Sequence, residues 1–422
     1  MAASGVLKTI TTLLLSLEST PELLSRLENA LLPVITYSLE NAIIDLYEDI
    51  FDIIDTCTFS TKQISQTMWG IFELIYKTFK DTGIDYIEEI FPSLDNYISY
   101  GTQFFIQNTT LQRMINDIVE TVMTSDRLNE SERICGCKLI ESILLNCRGV
   151  VDQYVGPFID LVFKHLSNTK STSLTNFKFY CIEAVINCLY YNPLLSLHIL
   201  EERNLTQTFF SIWFDNIKKF SRVHDKKLVV VTLCSLMEIP VEQLPSILQT
   251  GWPQVLEVIL TIFKSLPKAE ENRNEMEKMY DNESDDDDDD GEADGESENR
   301  GDQAVGDDDG WEDDEDVQDE DAEYLEFLAR EAARNARSTT DEEDDDDPLE
   351  EEILFESPLD KLDVYIRFHD VFVGVQQHYP TSYNLLTKNL DTEKQNLIMK
   401  IINIANERRK NSENHTNEND NN

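Results

Sequence analysis

Apolar residues recur at intervals of three and four along almost all of the first 278 positions. In "NAIIDLYEDIFDIIDT" this spacing puts Ile43, Leu46, Tyr47, Ile50, Ile53 and Ile54 on one helical face and leaves Asp45, Asp49, Asp52 and Asp55 for the rest. "LQRMINDIVETVM" repeats the pattern with Leu111, Met114, Ile115, Ile118, Val119 and Val122. Further helices are predicted over 62–80, 84–100, 130–147, 152–167, 174–192, 206–220, 226–238 and 252–266. No segment shows the sustained alternation and hairpin turns of strands.

The punctuation between these helices is short: Ser19-Thr20-Pro21, Thr82-Gly83, Tyr100-Gly101, Ser125-Asp126, Arg148-Gly149 and Ile239-Pro240. Thr20 reads as an N-cap with Pro21 at the first helical position. Tight turns between long helices predict antiparallel pairs stacked in series, an all-α, HEAT-type α-solenoid. At ~40–47 residues per unit, residues 1–278 hold about six units. The spacing is irregular and no repeat consensus stands out, so a compact all-α bundle is the alternative. Two or three more amphipathic helices are predicted, at roughly 358–378, 381–389 and 391–409, within a closing segment 353–410 that completes the solenoid. The polar end, 411–422, is predicted to fray.

Between the two helical regions the pattern stops and charge takes over. Residues 281–347 hold 34 Asp or Glu against four Arg, a net charge of −30 out of −47 for the whole chain. The acidity is therefore local. So charged and apolar-poor a segment buries too little surface to offset its ordering entropy, and 279–352 is expected to be a mostly disordered acidic loop. One stretch inside it, 319–338, reads as a short helix with Tyr324, Leu325, Phe327 and Leu328 as a stripe.

The seven Cys (57, 135, 137, 147, 181, 188 and 234) are odd in number and sit in apolar helical patterns, as free thiols packed in a reducing compartment do. Cys135-Gly-Cys137 lacks metal-ligand spacing. The first residues imitate a signal peptide only faintly, and no run approaches the ~20 apolar residues of a membrane span. The expected protein is soluble and intracellular. "DDDDDDGEADGES" matches the first half of a calcium loop, but the closing position falls on Ser297 and no helices flank it. The six His (165, 198, 224, 369, 378 and 415) show no metal pairing, and P-loop, GxGxxG and GxSxG motifs are absent. Neither an enzyme nor a cofactor or metal site is expected.

A mobile chain with about −30 charges suits basic protein surfaces, because such fields raise encounter rates and weaken with salt. Repulsion from phosphates argues against nucleic acid. The simpler reading is a loop that only maintains solubility. The candidate contact residues are Asp285, Asp286, Asp287, Asp288, Asp289 and Asp290; Asp307, Asp308 and Asp309; Glu312, Asp313, Asp314, Glu315 and Asp316; and Asp344, Asp345, Asp346 and Asp347 of the 341–347 run. Trp311 stands alone among them as a possible anchor. "KKFSRVHDKK" supplies a basic counterpart, Lys218, Lys219, Arg222, Lys226 and Lys227, read either as a solvated helix end or as a patch on which the acidic loop folds.

Several stretches, "LYEDIFDIIDTCTFSTKQISQTMWGIFELIYKTFKDTGIDYIEEIFPSLDNYISYG", "CLYYNPLLSLHILE", "VHDKKLVVVTLCSLMEIP" and "DAEYLEFLAREA" among them, resemble the importin-β superfamily. The resemblance is to the branch of importin seven and importin eight and is colinear across nearly the whole chain. It implies HEAT repeats and a nuclear transport receptor that shuttles between cytoplasm and nucleus. It further implies basic cargo such as ribosomal proteins and histones, contacts with Phe-Gly nucleoporins, release by Ran-GTP, and partnership with importin-β. The family's receptors are longer, and the similarity falls on their C-terminal portion, with Ran bound by upstream repeats. A chaperone that shields basic proteins without transporting them, and a passive scaffold, are the rival readings.

Overall fold

In the computed structural model, residues 2–17, 20–166, 174–285, 349, 351–352 and 355–419 are described. Two compact units divide the chain: Met1–Arg273 together with Pro348–Asn422, and Asn274–Asp347. In the second, the described residues are the last turns of one long helix.

The described elements are helical throughout. In chain order they are α1 (Ala2–Ser16), α2 (Pro21–Glu40), α3 (Tyr47–Thr61), α4 (Gln66–Thr78), α5 (Ile87–Ser99), α6 (Thr102–Gln107), α7 (Thr109–Thr124) and α8 (Glu130–Asn146). There follow α9 (Asp152–Leu166), α10 (Asn176–Tyr191), α11 (Pro193–Glu202), α12 (Thr206–Asp215), α13 (Val223–Met237), α14 (Ser246–Thr250) and α15 (Trp252–Asp285). The last three are α16 (Val364–His378), α17 (Pro380–Leu386) and α18 (Thr392–Asn419).

Side-chain caps set many of the starts. Asn108 accepts from the amides of Thr110 and Leu111, Thr175 from Lys178, Asn192 from Leu195 and Asp363 from Tyr365 and Ile366. Asn129 and Glu132 close a capping box on α8. Thr20 does occupy the N-cap of α2 with Pro21 after it, but its hydroxyl donates to the Leu17 carbonyl and caps nothing.

Helices α1, α3, α5, α8, α10, α13, α16 and α18 pack side by side as one row, and α2, α7, α9 and α11 each lie against a member of it. The repeat that no consensus reveals is visible in the bonding. Tyr76–Asp117, Asn96–Asp55, Arg148–Tyr190 and Asn187–Glu141 all link residues 41 to 46 positions apart, one unit to the next. This is the all-α HEAT-type solenoid.

Being flanked on two sides changes which residues are buried. α10 and α13 are enclosed almost all round, and α3 buries Asp49, at 3% exposure, beside Ile50, Phe51, Ile53 and Ile54. Asp49 therefore does not lie on a solvated face, as its position in the pattern predicts. The helix predicted over 206–220 stops at Asp215 and continues as a 3-10 turn, Ile217–Lys219. α15 passes Pro267 and runs on to Asp285 through a polar stretch of good helix formers. α11 and the start of α13 at Val223 went unpredicted. α18 extends to Asn419.

Candidate functional site

The row of helices carries a charged seam through its interior. Its centre is Arg222, the N-cap residue of α13, which is 5% exposed. The guanidinium Nε donates to both oxygens of Asp225, at 2.9 and 3.0 Å, Nη2 donates to Glu183 of α10 at 3.1 Å, and Nη1 donates to the Tyr180 hydroxyl at 2.8 Å. Burial alone would weaken Arg222 as a base, but the Asp225 carboxylate foremost outweighs it and holds the group firmly protonated. Burial, with Asp225 beside it, pushes the Glu183 carboxyl well above its ordinary range. His224, the next residue, has Nε2 2.8 Å from Glu141 Oε1 of α8. Burial opposes its protonation, and Glu141 more than restores it.

Onto this seam the chain returns after the acidic run. Ser221 Oγ donates to the Leu349 carbonyl, and the Val223 amide to Glu351 Oε1 at 2.7 Å. Glu352 is the main anchor: it receives Arg222, the Tyr180 hydroxyl at 2.9 Å and Lys138 Nζ of α8 at 2.9 Å. Burial would raise its carboxyl, but the Arg222 and Lys138 cations hold it below the usual range. Phe355 sets its ring edge-on to His224, centroids 5.1 Å apart, and Ser357 Oγ lies 3.3 Å from His224 Nδ1. Glu356 reaches α3 and α5, with Lys62 Nζ at 2.9 Å and the Tyr100 hydroxyl at 3.0 Å. Leu359 is fully buried, Lys227 donates to the carbonyls of Leu359 and Asp360, and Arg273 approaches Asp360 at 3.5 Å. The described residues between 349 and 360 thus form a strap laid over α8, α10 and α13 and across the C-terminal ends of α3 and α5.

The basic patch predicted from sequence is divided by this arrangement. Arg222 and Lys227 hold the strap. Lys226 is 4% exposed and donates to the Phe220 and Ser221 carbonyls of its own turn. Lys219 Nζ donates to Leu174 O, and Lys218 lines a cleft with Lys226, Lys264 and Lys268. Asp285 ends α15. The other acidic candidates (286–290, 307–309, 312–316 and 344–347), Trp311 and the predicted helix 319–338 lie outside the described residues.

Sequence reasoning passed over Lys62, Tyr100, Lys138, Tyr180, Glu183, Glu352 and Glu356. A signal was there for three of the wall residues. Lys138 and Glu141 interrupt "CGCKLIESILL" and Glu183 interrupts "CIEAVIN", ionisable groups inside all-apolar runs that need buried partners. Among the described residues, no group of three or more His, Cys, Asp or Glu is placed to hold a metal ion, and no helix is long and apolar enough to cross a membrane. All seven cysteines are buried and free.

Residues 8–341 match the family model of the CAS/CSE protein C-terminus. The chain is 30% identical to a probable importin-7 homolog of Dictyostelium discoideum over 63% of its length and 25% of the relative's. It is 31% identical to an importin beta-like SAD2 homolog of Arabidopsis thaliana over 64% of its length and 27% of that protein's. With importin-8 of Homo sapiens it shares 27% identity over 96% of its length and 38% of that relative's. The chain thus spans between a quarter and two fifths of the length of these relatives. No solved structure matches it. The family model, the importin relatives and the helical repeat agree: the chain belongs to the importin-β superfamily, on the importin-7 and importin-8 branch, and corresponds to the C-terminal portion of that pattern.

Proposed function

We propose that the chain is the cargo-binding part of a nuclear import receptor, and that its acidic segment engages basic proteins such as ribosomal proteins or histones. The observation that carries this reading is the concentration of −30 charges in one segment between helices of an importin-type solenoid. At physiological salt the screening length is about 8 Å, so those carboxylates act only at close approach to a cationic partner. In the full-length receptor, Ran-GTP releases the cargo, Phe-Gly nucleoporins carry the complex through the pore, importin-β is a further partner, and the receptor shuttles between cytoplasm and nucleus. An acidic chaperone would bind the same cargo but lack the Ran-GTP step.

The test is binding of the chain, with and without residues 281–347, to one histone and one ribosomal protein across a salt series. The expected result is affinity that falls steeply with salt and is lost with the segment. Equal binding by the two proteins would overturn the assignment and leave the segment a solubiliser.

A further inference from the structure

Four lysines line one open cleft of about 340 Å³: Lys218 on the turn after α12, Lys226 in the first turn of α13, and Lys264 and Lys268 on α15. That volume suits a small ligand. None of the described residues lining it is Asp or Glu, in a chain that carries 82 acidic residues against 35 Lys and Arg. Lys264 and Lys268 stand one turn apart, a spacing at which like charges cost a helix stability.

These cations are short of partners. Lys226 is 4% exposed; two of its three N–H donors reach the Phe220 and Ser221 carbonyls, and the third has no acceptor among the described residues. Burial depresses its ammonium, which Asp225 and Glu351 only partly restore. Lys218 and Lys268 are exposed and make no ion pair or hydrogen bond among the described residues. Lys264 holds Glu393 of α18 at 2.7 Å, with both side chains more than half open to water.

The rest of the lining narrows the ligand. Thr261, Ser265 and Asn272 are exposed beside the lysines, while Phe220, Ile262 and Ala269 form a buried floor. Among the described lining residues there is no exposed aromatic ring on which a nucleotide base could stack, and no exposed apolar side chain that could enter a bilayer. Arg, whose fork matches a carboxylate, does not line the cleft; the compact ammonium of Lys acts on phosphate as a point charge. A single phosphate would leave most of these lysines unmatched.

We propose that this cleft binds a polyphosphorylated polyol, an inositol polyphosphate in class, with Lys218, Lys226, Lys264 and Lys268 on its phosphates and Asn272 as a neutral donor. The ligand is small and anionic, so the site is independent of the acidic segment and of its basic cargo.

The probe is inositol hexakisphosphate, titrated into the full chain by calorimetry. One saturable site per chain is expected, weakened by added salt. Lys218→Gln with Lys268→Gln should lower the affinity by roughly tenfold or more. Lys8→Gln with Lys164→Gln, the same charge change on exposed lysines of α1 and α9, should leave it unchanged. Circular dichroism establishes that each variant keeps its helices. In the native chain, which needs no variant, saturating ligand should slow hydrogen exchange over 217–226 and 261–272 and leave α1 to α5 as they were. Unchanged exchange over 217–226 and 261–272 would overturn the assignment, as would the absence of saturable binding. Equal losses in the two double variants would also overturn it, since they mean attraction to positive charge in general. Vesicles carrying phosphatidylinositol bisphosphate, and ATP, are the remaining arms; binding of either in preference to the soluble hexakisphosphate would replace the polyol by a lipid surface or a nucleotide.

Discussion

Asp55 shows what the fold does to a single residue that looks like surface. It follows the apolar period on α3 and reads as part of a solvated acidic stripe, yet α5 packs over it and Asn96 Nδ2 donates to its Oδ1 at 2.7 Å. Burial, only partly opposed by that hydrogen bond and reinforced by Asp52, pushes its carboxyl up to about 6. The folded state therefore binds a proton that the unfolded chain releases near 4, and stability falls as pH rises from about 4 to about 6. The loss at full ionisation is on the order of 3 kcal/mol. Asp55→Asn keeps an acceptor for Asn96 and removes the titration. Its melting temperature should exceed the native chain's at pH 7 and converge with it near pH 4. Parallel curves across that range would mean that Asp55 ionises in the fold as it does in water. Asp49 was misread for the same reason. A periodic pattern marks the more apolar face, but a helix with neighbours on both sides buries part of the other face too.

At the scale of elements, what could be read from the chain were the long periodic helices and the turns between them. Tyr100-Gly101 is one such turn, and its glycine has a specific cause. A Cβ there would sit 2.5 Å from Trp69 Cζ2 and 2.5 Å from the Tyr97 carbonyl oxygen, where α5 gives way to α6. The ring could adjust, but the carbonyl belongs to the last turns of α5 and cannot. Gly101→Ala should destabilise the chain by roughly 1–3 kcal/mol in urea denaturation, as overpacking does. A change below about 0.5 kcal/mol, the usual range for surface substitutions, would show that α6 can move away freely. The strap was illegible because it has no periodicity. Its contacts are single residues, Glu351, Glu352, Phe355 and Glu356, that meet partners more than a hundred positions upstream. The extension of α15 was hidden differently, as a helix without an apolar face.

Across the whole helical unit, nearly every bond between repeats joins neighbours, which makes stability a sum of local interfaces and lets one end loosen while the other holds. The strap is the exception. Glu356 ties α3 and α5 to a segment 294 and 256 positions later, and Glu352 ties α8 and α10 to it at separations of 214 and 172. It thus couples the early repeats to α13, whose Val223 amide and Lys227 hold its two ends. Cutting both ties with Glu352→Gln and Glu356→Gln removes ion pairs of modest individual value, so the effect should be regional. Hydrogen exchange is expected to speed up in α3 and α5 by up to about tenfold, the equivalent of ~1.4 kcal/mol, while α16 and α18 keep their protection. Uniform acceleration across the unit would mean that the repeats already unfold as one. Unchanged exchange in α3 and α5 would mean that neighbour packing alone holds them and the strap merely rests on the wall.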